Sequence, residues 1–546
     1  MRSRVSSYAL LGLLSVPAVA LGVGGLLAGS AAAAEGECGG KPVTVDLSEG
    51  QAPTDGDDVI VVPAGAAVDG LGGDDTICIV GQGGAEIHGG AGNDTLFGGS
   101  DGDLINGGDG DDVVNAGEGD DLIEENSGND WLSGDAGGDV ILAGSGADEA
   151  NGGLGDDVIS GGSDGDTLRG GDGADRLAGG AGDDTIDGGA GTDKATYAES
   201  ASGIVATTTK VTGGLGTDVL AGIEELMGTD YADRFTGGSG NSIIDGRAGN
   251  DWFAPGAGTD VITGGSGVDT VSYASMTSGV RIFLGQPAYD GAAAGRETIE
   301  QVENLTGSPY ADRLRGDMES NVILGGGGSD YINGLNGNDR LDGGSGNDTF
   351  WPGLNNDTVI GGSGTDTLSY QGFNRAVQVS LATTRAQNTG GSGYETVSQT
   401  ENIIGTSYAD RLVGSSGRNT ISAGYGNDTV LPGYGDDVVS GGGGSDTISY
   451  RGIGVGVRVS LAATSPQRTN AGYDKITSFE SVIGTTRADV LKGNGSANKL
   501  LGDAGGDKLY GSGGADKLYG GTGSDYGDGG TGRDSSYSVE RRVRIP

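Results

Sequence analysis

Gly107-Gly108-Asp109-Gly110-Asp111-Asp112-Val113-Val114-Asn115 is one copy of a nine-residue unit, Gly-Gly-x-Gly-x-Asp-x-apolar-x. The unit runs twelve times without a slip in its period from Gly89 to Thr196. The sixth place holds Asp94, Asp103, Asp112, Asp121, Asp130, Asp139, Asp148, Asp157, Asp166, Asp175, Asp184 and Asp193. Self-similarity at a fixed short period marks a solenoid. Evenly spaced carboxylates on a glycine backbone point to a hard cation.

Each part of the unit has a physical task. Glycine reaches φ > 0 without strain, so the chain can turn tightly and aim carbonyls at a ligand. The sixth-place Asp adds a carboxylate. The last three residues read as a very short strand, with the eighth, such as Val114, facing inward. One unit cannot satisfy a cation that takes six to eight oxygens, but two stacked turns can. If two units make one coil, same-side neighbours stand 18 residues apart: Asp94 above Asp112, and Asp103 above Asp121. The candidate ligands are all oxygen, with no free thiol cluster and a single imidazole, His88. That donor set selects calcium or magnesium over zinc or copper. A flexible, carbonyl-rich loop suits calcium better than the small octahedral cage of magnesium.

Beyond Thr196 the frame returns four times, at 219–272, 298–369, 396–449 and 475–537. Each block opens with a Glu at the sixth place (Glu224, Glu303, Glu401, Glu480), then an Asp (Asp233, Asp312, Asp410, Asp489). A neutral unit follows (Ser242, Asn321, Asn419, Asn498). Between the blocks lie inserts at 197–218, 273–297, 370–395 and 450–474, each beginning with a Tyr. Three of them carry an alternating stretch that predicts a half-buried strand: Val280–Leu284, Val377–Leu381 and Val457–Leu461. The first run and the next three blocks hold even numbers of units, so the inserts are expected to leave the solenoid on one edge.

The ends differ from the middle. Arg2 and Arg4, the apolar run Tyr8 to Leu27 and the small residues Ala31 to Ala34 read as a secretory signal, residues 1–34, cut before Glu35, with an uncleaved anchor as the alternative. Residues 35–88 read as an N-terminal cap with imperfect echoes of the repeat. In an exported chain its isolated pair, Cys38 and Cys78, is most simply a disulfide, with two free thiols as the alternative. Residues 538–546 read as a basic C-terminal tail, with Arg541, Arg542 and Arg544.

The chain of 546 residues holds 119 Gly, has a net charge of −46 and is only 5% aromatic. Glycine is costly to order and self-repulsion opposes compaction, so the metal-free chain is expected to be loose. A polyanion repels nucleic acid. After the signal, no segment approaches the roughly 20 apolar residues of a membrane span.

The units from about 55 to 537 resemble the repeats-in-toxin family of hemolysin-type calcium-binding nonapeptide repeats, whose β-roll also ends secreted serralysin-type proteins. The resemblance implies an all-β fold, a parallel β-roll or two-sided β-helix solenoid of about 18 residues per coil. It also implies that the glycine turn supplies carbonyls and the sixth-place Asp a carboxylate. That role carries to the twelve aspartates above and to Asp251, Asp260, Asp269, Asp330, Asp339, Asp348, Asp357, Asp366, Asp428, Asp437, Asp446, Asp507, Asp516, Asp525 and Asp534. Pairs 18 residues apart number about 17, which sets the expected order of calcium stoichiometry. Asp101 and Asp164 replace the fourth-place glycine, Ala150 and Ala195 underfill the core position, and Asn355-Asn356 interrupts a turn.

Catalytic motifs are not evident. Two Gly-x-Ser-x-Gly matches, around Ser100 and Ser163, are generated by the repeat itself. No His-Glu-x-x-His occurs. Trp131, Trp252 and Trp351 fit edge packing better than sugar stacking, and the irregular third place argues against ice binding. The expectation is a secreted, non-enzymatic calcium-binding β-roll with a structural or adhesive role, its partners being calcium ions and cell-surface glycans or matrix. The alternative is a polysaccharide lyase or epimerase built on the same roll.

Overall fold

The seventh to ninth places of successive units form the strands. Thr95–Phe97, Val113–Glu118 and Trp131–Ala136 stack in one wall, and Leu104–Asp109, Leu122–Glu124 and Val140–Leu142 in the other. A computed structural model describes residues 37–285, 287–291 and 295–544. The signal reading of residues 1–34 lies outside these described residues. Among them there is no α-helix, only one short 3₁₀ turn at Leu47–Glu49. Neighbours within a wall pair in parallel with an 18-residue register: Val113 sits opposite Thr95 and Trp131, and Leu122 opposite Leu104 and Val140. The fold is therefore an all-β parallel solenoid with two units per coil.

Burial follows the eighth place. Leu96, Val114, Leu132, Leu168 and Ile186 fill the core from one wall, and Ile105, Ile123, Ile141, Ile159 and Leu177 from the other. Ala150 and Ala195 keep the inward position and are fully buried. Turns between walls depend on left-handed backbone, as at Gly108 (φ 116°) and Gly110 (φ 141°). Asp164 (φ 78°) and Asn355 (φ 86°) take that conformation in place of glycine. Asp and Asn are the non-glycine types that best tolerate it, so these departures leave the coil intact.

The chain divides into two compact units. One comprises residues up to Val271 together with a segment ending at Val302; the other comprises Glu303 onward together with a segment beginning at Ser272. The uninterrupted roll and the first insert share one unit.

The N-terminal segment is already part of the solenoid. Val59–Pro63 pairs with Thr76–Val80, which pairs with Thr95–Phe97, through registers of 17 and 19 residues. Cys38 and Cys78 form a disulfide. It is buried against Phe97, with Val43, Val59 and Val61 packed around it.

The inserts correct two expectations. In the first, Ile204–Thr207, Lys210–Gly213 and Gly216–Ala221 form an antiparallel meander. Its last strand pairs with Thr185–Gly191, and its first with Arg234–Thr236. Residues 213–221, Gly-Gly-Leu-Gly-Thr-Asp218-Val-Leu-Ala, are thus a complete repeat unit shifted out of frame, and the insertion proper is shorter than 197–218. A compressed half-coil of six residues, 222–227, follows. The same compression recurs: Tyr394–Ser398 and Asn402–Ile404 are separate strands in opposite walls, although 396–404 counts as one unit in sequence.

That compression adds a strand to each block and reverses the parity. Within the second unit, the 370–395 insert interrupts the wall of Thr358–Gly364, while Thr367–Ser369 in the opposite wall pairs straight to Asn402–Ile404. The 450–474 insert interrupts that opposite wall, since Val438–Gly443 pairs with Tyr473–Thr477, and Thr447–Ser449 continues straight to Ser481–Ile483. Inserts therefore do not share one edge. The expected insert strands form at Arg281–Phe283, Gln378–Ser380 and Arg458–Ser460. Residues 538–543 are not a free tail either: Arg541–Val543 pairs with Tyr526–Asp528 as one more six-residue half-coil.

Candidate metal centre

The sixth-place residue precedes each strand at the inner side of the turn, so its side chain lies within the stack. All twenty-seven sixth-place aspartates read from the sequence as ligands are buried, none more than 6% exposed. Each carboxylate is tied to the coil before it through Oδ1. Asp94 N–H donates to Asp112 Oδ1 at 2.7 Å, Asp112 to Asp130 at 2.8 Å, Asp130 to Asp148 at 2.8 Å and Asp148 to Asp166 at 2.9 Å. The other wall carries the same ladder from Asp103 through Asp121, Asp139 and Asp157 to Asp175. The later blocks repeat it, as from Asp330 to Asp348 to Asp366 and from Asp489 to Asp507 to Asp525.

Oδ2 is the exceptional atom. In Asp112, Asp130, Asp157, Asp166, Asp348, Asp357, Asp437 and Asp516 it is buried and meets no hydrogen-bond donor. It lies over the first glycine of its own unit: a Cβ at Gly89 would collide with Asp94 Oδ2 and with the Gly107 carbonyl oxygen. Gly161, Gly325 and Gly502 repeat that cradle with Asp166, Asp330 and Asp507. In these rungs a carboxylate oxygen of one coil and a backbone carbonyl oxygen of the next lie at the same spot.

Buried carboxylates without donors are costly. Burial pushes Asp112 up to about 7, and Asp157, Asp166 and Asp357 up to about 8; neighbouring aspartates add to the rise, and the backbone N–H bond at Oδ1 partly offsets it. A hard cation between coils removes the penalty. The donor set of carboxylate and carbonyl oxygens fits calcium. Among the described residues no three His, Cys, Asp or Glu side chains form a metal-ligating group.

Column ends are closed by other chemistry. Asp233 is satisfied at both oxygens, by Thr229 N–H at 2.7 Å and Thr229 Oγ1 at 2.9 Å. Ser308, Thr406 and Thr485 serve Asp312, Asp410 and Asp489 in the same way. Asp103 differs from the other candidates because Gly99 N–H donates to its Oδ2 at 2.8 Å. Where Asn replaces Asp, the amide bridges the coils itself: Asn419 Nδ2 donates to the Glu401 carbonyl at 2.7 Å. At the far ends, the compressed half-coils use the longer reach of Glu. Asp366 N–H donates to Glu401 Oε2 at 2.8 Å, Asp446 to Glu480 at 2.8 Å and Asp525 to Glu540 at 2.6 Å.

Sequence reasoning missed several members of these columns. Asp58 and Asp75 extend one column upward, with Asp58 N–H on Asp75 Oδ1 and Asp75 N–H on Asp94 Oδ1, both at 2.8 Å. Asp218, Glu297 and Asp474 occupy sixth-place positions inside segments read as inserts. The signal for Asp218 was present as a full repeat unit in another frame. A second, exposed ladder runs through the fifth place: Asp111 N–H donates to Asn93 Oδ1 at 3.0 Å, and Asn129 N–H to Asp111 Oδ1 at 2.8 Å. The recurrent Asn or Asp at that place is its sequence trace. His88 contacts Glu86 at 3.3 Å. Trp252 packs under the Arg234 guanidinium at 3.4 Å, and Trp351 stacks on Tyr331, so both pack along the walls.

No curated protein matches the chain. The family described as RTX calcium-binding nonapeptide repeat (4 copies) matches residues 88–123, 126–159, 160–195, 227–262, 256–274, 306–341, 315–350, 333–368, 404–433, 433–451, 479–509 and 501–535. These segments cover more than half of the chain and coincide with the stacked aspartate columns. The chain belongs to the RTX calcium-binding nonapeptide repeat family, and its solenoid is a calcium-binding β-roll.

Proposed function

We propose that this β-roll is exported as a loose chain and assembles on calcium outside the cell, where it serves a structural or adhesive role without catalysis. The observation that carries the reading is the column of buried Oδ2 atoms without donors, repeated from coil to coil. Each adds a charge that opposes folding until a cation occupies the space beside it. Extracellular calcium modules work at Kd values of about 10⁻⁴–10⁻³ M, matched to calcium outside cells and far above cytosolic levels. Circular dichroism and small-angle scattering in chelator and in millimolar calcium test the reading. Identical spectra and dimensions in the two conditions would overturn it.

The adhesive part draws support from the last coils. There the outer faces carry Lys499 and Lys517 beside Tyr519 and Tyr537, whose rings stack at 4.7 Å, and Lys508 beside Tyr510 and Tyr526. Flat aromatic rungs flanked by cations suit an acidic glycan. A glycan array separates the roles. Retention of acidic glycans unchanged supports adhesion, whereas product formation supports a polysaccharide-active enzyme.

A further inference from the structure

Glu125 stands where its unit should begin with glycine, and it turns inward. The residue is 7% exposed. Gly108 N–H donates to its Oε2 at 3.1 Å, while its Oε1 is buried without a donor. In regular coils, the space over the first glycine is bounded by the Oδ2 of its own unit and a backbone carbonyl from the next coil, as at Gly161 with Asp166 and Gly179. At Gly107 the bounding atoms are Asp112 Oδ2 and Glu125 Oε2. Among the described first-place glycines, only Gly107 has two carboxylates as its closest contacts. Asp112 is 1% exposed and its Oδ2 has no donor. At this one rung a second carboxylate oxygen stands among the nearest atoms, where the regular rungs present a backbone carbonyl.

We propose that Asp112 and Glu125 form a cation site distinct from its neighbours, filled before the regular sites and selective for hard, highly charged ions of calcium's size, such as trivalent lanthanides. The inference rests on the calcium reading above. Affinity of oxygen sites rises with the charge count of the ligands, and the attraction of an added carboxylate scales with the charge of the ion. Because the site draws on one coil and the next, its early occupation would join those two coils first. Assembly of the first unit would then start at this rung.

Terbium titration of the full chain tests the proposal. Trp131 directly follows Asp130, whose Oδ1 receives the Asp112 N–H at 2.8 Å, and excitation of the chain's tryptophans serves to sensitise terbium emission. The variants are E125G, which restores the repeat's own residue and the regular coil, and E125Q, which keeps the shape without the charge. The wild-type chain is expected to bind one terbium ion about tenfold or more tightly than the rest. Both variants are expected to lose that first phase and keep the later ones. An unchanged first phase in E125G overturns the proposal. So does one additional ion in E125G, since Glu125 would then be filling the cation's place. Failure of the wild-type chain to bind either terbium or calcium would remove the calcium reading itself.

Discussion

The Tyr450 hydroxyl donates to Asp474 Oδ2 at 3.0 Å, and Thr469 Oγ1 donates to the same oxygen at 2.7 Å. Asp474 occupies a sixth-place position, yet the oxygen left open in regular coils is here supplied with two donors. Tyr197 lies beside Asp218 and Tyr370 beside Glu395, at the equivalent places of two other inserts. Burial, reinforced by the adjacent carboxylate, holds these phenols well above their ordinary range, so they stay protonated. At the 450–474 insert the opening tyrosine thus gives a carboxylate column a proton donor where the other coils call for a cation.

Replacing Tyr450 with Phe removes one donor from a buried carboxylate. The expected loss is about 1–3 kcal/mol of stability in saturating calcium, because the stranded acceptor is costly. Urea unfolding of Y450F against the wild-type chain measures it; equal midpoints would show that Thr469 alone satisfies Asp474.

Within a column, one charge is expected to matter more than one contact. Asp157 Oδ1 receives the Asp139 N–H at 2.8 Å, and an amide oxygen can accept the same bond, whereas Oδ2 has no donor. D157N should therefore keep the coil and bind fewer calcium ions than the wild-type chain. Calorimetric titration counts the ions; an unchanged number places the cations away from Asp157.

Acid should imitate calcium in part. Asp112, Asp157, Asp166 and Asp357 have folded-state values raised to between about 7 and about 8, above the ordinary 3.8, chiefly by burial. A carboxylate with a raised folded pKa binds its proton more tightly in the folded chain. Its contribution is therefore complete at low pH and lost as pH rises through the folded value. In chelator, β-structure should increase as pH falls from about 8 toward 5, while protons compete with calcium and lower its affinity over the same range. Circular dichroism against pH, with and without calcium, checks both signs.

The Cys38–Cys78 disulfide closes a 40-residue separation at the start of the first unit. Replacing both cysteines with Ala should cost about 2–4 kcal/mol in the N-terminal coils. Hydrogen exchange should show faster opening of Val59–Pro63 and Thr76–Val80, with the coils beyond Asp130 unaffected. Uniform acceleration along the chain would mean that the first coils support all those below them.

The period of nine placed the eighth residue inward, and with two units per coil, as the family resemblance implies, it stacked Asp94 on Asp112. The 18-residue register expected on that basis is the one observed. Only tertiary structure decided what happens where the spacing changes. The six-residue half-coils, the assignment of inserts to opposite walls and the role of Asp218 all depend on how a coil closes against the one before it. The same holds for Glu125 and Tyr450: a side chain turns into a column only if a neighbouring coil leaves an oxygen there to meet. Spacing along a chain specifies a repeated contact, but a departure from the repeat acquires meaning only from the coil stacked against it.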